Sequence, residues 1–525
     1  MSENEVEFQS IIKACANQNR DDLLVTLLDW VWKAHKSEEP GFKEEQVFAN
    51  AYGNRVACIA FVYGQIGSGW RVTKADILSH VNRYHALSES FTDEEISFNE
   101  TFFNSLKAKP NFSRFTKYDK LAGAKIAAFF GRIIGNQQGN RHFKLRTISR
   151  NYQILVSAAA KNSIIDLQKG KIYFGANLEI FHSIVYLVYA LALEGNGVIK
   201  PDYLVERIEL DLEGIGINSE LVRGFLKRWS WTSEMLSSEL HTRFSYSDID
   251  LKYFPSPLIK LPILDLTKDG EEVYLVPSPW DFLSKFSMML DDFVRDVSGS
   301  SHLNAFSSIG TEFELFMIKV CMEICGTESV IDLSSYEDKD KKIADCILIE
   351  DDTAIIIEFK KSLGNYEQRT FLGPDDLAEL MDRHHSAVIQ LDATKKRINS
   401  KQINISTEVT RFAYVVCCSY PVLQEGLLYY DLISAAQAEL EIEAIPLVIL
   451  DASNFEEYLH RFGVVEFRNR IEHSYIGHVR HEDATHKSFD GGSQYRFRSS
   501  MYEAIDDRLF PWRKARKENL NENEA

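Results

Sequence analysis

The chain has 525 residues, 45% of them hydrophobic and 26% charged. This is the balance of an ordinary globular protein with enough apolar residues for two or three cores, and it excludes a disordered chain. A formal net charge of -18 excludes a protein that coats nucleic acid with its whole surface, since phosphate binding needs cations.

In chain order, the acidic start "MSENEVEFQS" is the opposite of a signal peptide. The first strong pattern, "DDLLVTLLDWVWKAH" from Asp21, places Leu24, Leu27, Leu28 and Val31 at helical spacing. The glycines of "GQIGSGW" from Gly64 are spaced like a phosphate loop, but Trp70 and Arg71 stand where lysine and a hydroxyl residue are required, so a helix-ending turn is expected. Thr92 and Glu95 offer a capping box before another helix.

Charge is concentrated next. From Lys107 to Asn151 there are 11 Lys or Arg against the single acid Asp119, a local +10 that leaves the remainder of the chain near -28. Candidate phosphate contacts are Lys109, Arg114, Lys117, Lys120, Lys125, Arg132, Arg141, Lys144 and Arg146, with Phe112, Phe115, Tyr118, Phe129, Phe130 and Phe143 interleaved for base stacking. The alternative is that the aromatics are helix core and the cations a solvated face.

"SIIDLQKGKIYFG" from Ser163 to Gly175 reads as a short strand pair turning at Lys169-Gly170. The apolar run Ile184–Leu193 reads as a buried helix too short to span a bilayer, and a cytoplasmic protein with no membrane partner is expected. Leu258–Pro277 reads as a hairpin closing on Asp269-Gly270, followed by a helix from Pro279. These predict a mainly α-helical N-terminal region with short β-hairpins over residues 1–297, and the polar stretch 298–309 as a linker.

Beyond it the order becomes a helix with Phe313, Phe316, Met317 and Val320 on one face, three strands, a long helix, then strand, helix, strand and helix. That order predicts an α/β C-terminal domain with a mixed sheet over residues 310–470. Residues 471–525 read as a C-terminal extension, partly disordered, in which His473, His478, His481 and His486 lack an apolar framework. The seven cysteines form no CxxC pair, and Cys321, Cys325, Cys417 and Cys418 read as core.

The most informative stretch is "IADCILIEDDTAIIIEFKKS" from Ile343 to Ser362. If Asp351 and Asp352 form a two-residue turn, Glu350 pairs with Thr353 and Asp345 falls directly opposite Glu358. Asp345, Glu358 and Lys360 then share one face, while Cys346, Leu348, Ile355, Ile357 and Phe359 fill the other. Opposed carboxylates ~5 Å apart repel, which a divalent cation with hard oxygen ligands would relieve. The bland alternative is three solvated charges at a strand end.

This arrangement resembles the PD-(D/E)XK nuclease superfamily: Asp345 matches its aspartate and Glu358-Phe359-Lys360 its Glu-x-Lys, with Ala344 where the name-giving proline would stand. The resemblance covers roughly residues 305–465. It implies a restriction-endonuclease-like mixed sheet and a Mg2+-dependent (or Mn2+-dependent) endonuclease acting on nucleic acid, DNA favoured. It further implies metal held by Asp345, Glu358, the Phe359 carbonyl and Glu314, which is preferred to Glu312. Lys360 would be catalytic, with Gln390 beside the site. The layout is similar to bacterial restriction or anti-phage defence effectors, in which the added region senses or recruits, and the acidic net charge leaves room for a protein partner or homo-oligomer. The alternative is a catalytically silent nuclease-like subunit that binds nucleic acid or serves as a scaffold.

Overall fold

The computed structural model describes residues 3–36, 49–66, 69–89, 145–201, 216–244, 256–334, 343–361, 374–405, 407–419, 445–479 and 499–509. The capping box at Thr92 and most of the basic segment lie outside these.

The N-terminal half is helical: α1 (Glu3–Ala16), α2 (Arg20–Lys36), α3 (Asn54–Tyr63), α4 (Lys74–Glu89), α5 (Leu145–Lys161), the short α6 (Gly170–Phe174) and α7 (Leu178–Glu194). Asn19 begins α2 by accepting the backbone N–H groups of Asp21 and Asp22 at 3.1 and 3.0 Å. Leu24, Leu27, Leu28 and Val31 are buried as their spacing predicts. Gly64 ends α3, donating its N–H to the Ala60 carbonyl, so the glycine-rich stretch does follow a helix end.

One expectation is corrected. The stretch predicted as a strand pair at 163–175 is a 3-10 turn, Leu167–Lys169, running into α6. Asp166 caps the turn, Gly175 ends α6 in a left-handed conformation (φ 82°), and Phe174 enters an aromatic cluster with Phe181 and Phe293. Local capping and ring packing outweigh the strand propensity of the isoleucines.

The run 167–194 is apolar and long enough by composition to cross a membrane, and half of its most apolar window is buried against the rest of the protein. Gly175 and the Asn177 cap interrupt it, which suits a core helix.

A small mixed sheet follows: β1 (Val198–Ile199), α8 (Ser219–Arg228), β2 (Ser230–Trp231), α9 (Ser233–Phe244), β3 (Ile263–Asp265) and β4 (Tyr274–Leu275), with strand order β1-β4-β3-β2. The predicted hairpin is β3–β4, closing through Lys268 and Glu271 with Asp269 and Gly270 both at positive φ, the conformation its sequence favours. Pro279 and the Ser278 hydroxyl start α10 (Pro279–Ser298).

The segment read as a linker is instead a 3-10 turn, Gly299–Ser301, leading straight into α11 (His302–Cys325). One continuous set of buried apolar side chains passes from the helices into the following sheet. That sheet has strand order β5-β6-β7-β8-β9: β5 (Val330–Asp332), β6 (Cys346–Glu350) and β7 (Thr353–Lys360) are antiparallel. The strands β8 (Arg411–Cys418) and β9 (Leu447–Asp451) continue parallel to β7. The expected mixed α/β sheet is therefore present.

Helix α12 (Pro374–Asn399) packs on one face of this sheet, and α11 with α13 (Ala452–Val479) on the other. Cys346, Leu348, Ile355, Ile357 and Phe359 belong to the second face as the alternation predicts. Cys321, Cys417 and Cys418 are buried, whereas Cys325 is half-buried.

Past residue 470, the described residues are mainly helical. Helix α13 runs through His473 to Val479, and α14 (Ser500–Leu509) buries Tyr502, Ile505 and Leu509. His473 is exposed and His478 falls in the last turn of α13; His481 and His486 lie outside the described residues.

Candidate active site

The β6–β7 hairpin turns at Asp351-Asp352, with Asp351 at φ 54° and Glu350 paired to Thr353. The regular ladder ends at Cys346 and Ile357. Asp345 then donates its N–H to the same Ile357, at 3.1 Å, so two residues of one strand address one of the other. This is the geometry of a β-bulge, which re-aims side chains at a sheet edge. The direct opposition expected of Asp345 and Glu358 is corrected accordingly. Instead, the Asp345 carboxylate accepts the Phe359 N–H at 2.6 Å.

Glu358 is 2% exposed. One of its oxygens is ion-paired with Lys360, and the other, Oε2, is buried without a hydrogen-bond partner among the described residues. Lys360 also donates to Gln390 Oε1 at 3.1 Å, and Gln390 donates onward to the Ile343 carbonyl at 3.3 Å. Phe359, between the charged residues, anchors its strand by ring contacts with Phe313 and Phe455.

The acids influence one another. Burial, then the charge of Asp345, pushes the Glu314 carboxyl upward against the pull of Lys360. Burial raises Asp345 too, opposed by the Phe359 N–H and Lys360 and reinforced by Asp332. Glu358 is raised by burial and Asp345, lowered by Lys360, and raised again by Glu314. Glu314 on α11, Asp345, Glu358, Lys360 and Gln390 on α12 therefore form one neighbourhood. Glu312 faces elsewhere, ion-paired with Lys161 at 2.5 Å.

Two contributors escaped the sequence reading. Asp332, an acid ending the apolar β5, adds its field to Asp345. Thr394, one helical turn beyond Gln390, accepts the Ala344 N–H at 2.8 Å and donates to the Gln390 carbonyl at 2.8 Å. The i, i+4 spacing of Gln390 and Thr394 was the available signal. The contact also gives Ala344 a physical reason: proline there has no N–H to donate.

Among the described residues, no three His, Cys, Asp or Glu side chains are placed so that they could hold a metal ion; one oxygen each of Asp345 and Glu358 is spent on Phe359 and Lys360. The donor chemistry nevertheless fits a hard divalent cation. It consists of clustered carboxylates, one with a buried oxygen that has no hydrogen-bond partner among the described residues, a combination a cation relieves.

Of the basic candidates, Lys109, Arg114, Lys117, Lys120, Lys125, Arg132, Arg141 and Lys144 lie outside the described residues. Arg146 is described and turned inward, over the Tyr502 ring at 5.2 Å and 3.8 Å from Glu456. Comparison with protein families, with curated proteins and with solved structures finds no match for this chain.

Proposed function

We propose that this chain is a metal-dependent nuclease of the PD-(D/E)XK type, with a restriction-endonuclease-like C-terminal domain that hydrolyses phosphodiester bonds, DNA favoured. The supporting observation is the gathering of Glu314, Asp345, Glu358, Lys360 and Gln390 at one end of the sheet, with Glu358 Oε2 buried and without a hydrogen-bond partner among the described residues.

Asp345, Glu358, Glu314 and the Phe359 carbonyl would hold Mg2+ or Mn2+. A divalent cation there acidifies water and offsets charge developing on the phosphate. Lys360 supplies the fixed positive charge of the site, held by Glu358 and Gln390, where it stabilises the transition state or orients the attacking water. Gln390 and Thr394 keep the backbone before Asp345 in place. The basic segment supplies phosphate contacts and the helical half regulates or recruits, as in a defence effector.

Metal titration followed by thermal unfolding tests the site. A ligand that binds only the native state stabilises it by mass action, so Mg2+ or Mn2+ raises the Tm of wild type and not of Asp345→Ala or Glu358→Ala. A catalytically silent domain serving as a scaffold gives no metal-induced rise.

A further inference from the structure

The strand carrying Lys360 ends against the helical half of the molecule. The next residue, Lys361, forms an ion pair with Asp291 of α10 at 3.2 Å, and the two side chains are only 4% and 6% exposed. On the neighbouring strand, Ser419 donates its N–H to the Lys360 carbonyl at 3.0 Å. The Ser419 carbonyl in turn accepts from Arg150 of α5 at 3.4 Å. Arg150 is itself buried and ion-paired with Glu456 at 2.9 Å, and Glu456 accepts the Tyr502 hydroxyl at 2.6 Å. Asn151 ties α5 to α10 by donating to the Ser287 carbonyl at 2.8 Å.

Two helices of the N-terminal half, fastened to each other, thus hold the chain next to Lys360: α10 through the Lys361 side chain, and α5 through Ser419, which bonds the Lys360 carbonyl. Taking charges out of water is costly, and a buried ion pair fixes geometry more than it adds stability. A group acting on phosphate loses effect steeply when displaced by about 1 Å.

We propose that Lys361 and Asp291 are positioning residues that hold Lys360 in register, so that the helical half controls cleavage through this ion pair. The assignment rests on the nuclease reading above.

The test is steady-state cleavage of plasmid DNA in Mg2+ by the full chain. Removing one partner takes from a buried charge its ion pair, so the informative variant removes both, Lys361→Met with Asp291→Leu, alongside Lys361→Arg, which keeps the pair. The double variant is expected to lose kcat by about 10- to 100-fold, to keep KM for DNA within about twofold, and to retain the Mg2+-induced rise in Tm. Lys361→Arg stays within about threefold of wild type, on the same argument from geometry. A folded double variant with wild-type kcat overturns the assignment, as does a loss that Lys361→Arg shares in full. Wild type that cuts neither plasmid, linear DNA nor single-stranded RNA in Mg2+ or Mn2+ overturns the nuclease reading itself, a result visible before any variant is made.

Discussion

The Asp345 carboxylate accepts the backbone N–H of Phe359 at 2.6 Å, across the point where the β6–β7 ladder gives way to a bulge. The acid of one strand is therefore fixed to the peptide between the acid and the lysine of the next. An acid positioned by backbone keeps its place whether or not it is charged, which is what a preorganised ligand requires.

Glu358→Gln separates stability from function. The ionised carboxylate is disfavoured by burial and by Asp345, so the neutral amide is expected to raise the Tm of the metal-free protein at pH 8 while abolishing metal-induced stabilisation and cleavage. Thermal unfolding in EDTA and in Mg2+ reads both effects.

The pH dependence follows from the same acids. Asp345, Glu314 and Glu358 are pushed up to about 6, 7 and 8, above their unfolded range near 4. The native state thus binds more protons than the unfolded one, and metal-free stability falls as pH rises toward 8. Buried His182 and His384, lowered to about 4, act oppositely: stability is lost as pH falls below about 6.5, where the unfolded histidines take up protons. The carboxylate slope is therefore read between pH 6.5 and 8, and saturating Mg2+ is expected to flatten it.

Ala344→Pro removes the N–H that Thr394 accepts at 2.8 Å in a buried setting. A loss of about 1–3 kcal/mol in denaturant unfolding is expected. Thr394→Ala costs about 1 kcal/mol, and the two losses should fall short of additivity because they break one contact.

Glu350 caps a break in α13. Its carboxylate accepts the N–H groups of Val464 and Val465, each at 3.2 Å, immediately after Gly463 at φ 68°. Glu350→Ala is expected to cost about 1 kcal/mol, with no change in metal binding, since the cap lies at the turn end of the hairpin and the acids at the other.

What the sequence discloses is local. Two-residue turns, strand alternation and the Glu-x-Lys spacing were enough to place the β6–β7 hairpin and to gather its charged residues. The bulge at Asp345 was not legible, because the competition between the Phe359 N–H and a side chain has no signature in spacing. The false strand pair at 163–175 arose from its isoleucines, whereas the segment is settled by the Asp166 cap and by the Phe174 ring meeting the distant Phe293. The polar segment after Ser298 is helix because two of its apolar residues, Ala305 and Phe306, meet the core, while Leu303 stays exposed. Contacts such as Arg150 with Glu456, 306 residues apart, are invisible to any window of sequence.

The central claim is tested most directly by incubating wild type and Lys360→Ala with supercoiled plasmid, linear DNA and single-stranded RNA in Mg2+ or Mn2+. The account predicts metal-dependent cutting by wild type on at least one substrate and a loss of about 100-fold or more in the variant. No cutting of any substrate with either metal, or equal cutting by both proteins, would contradict it.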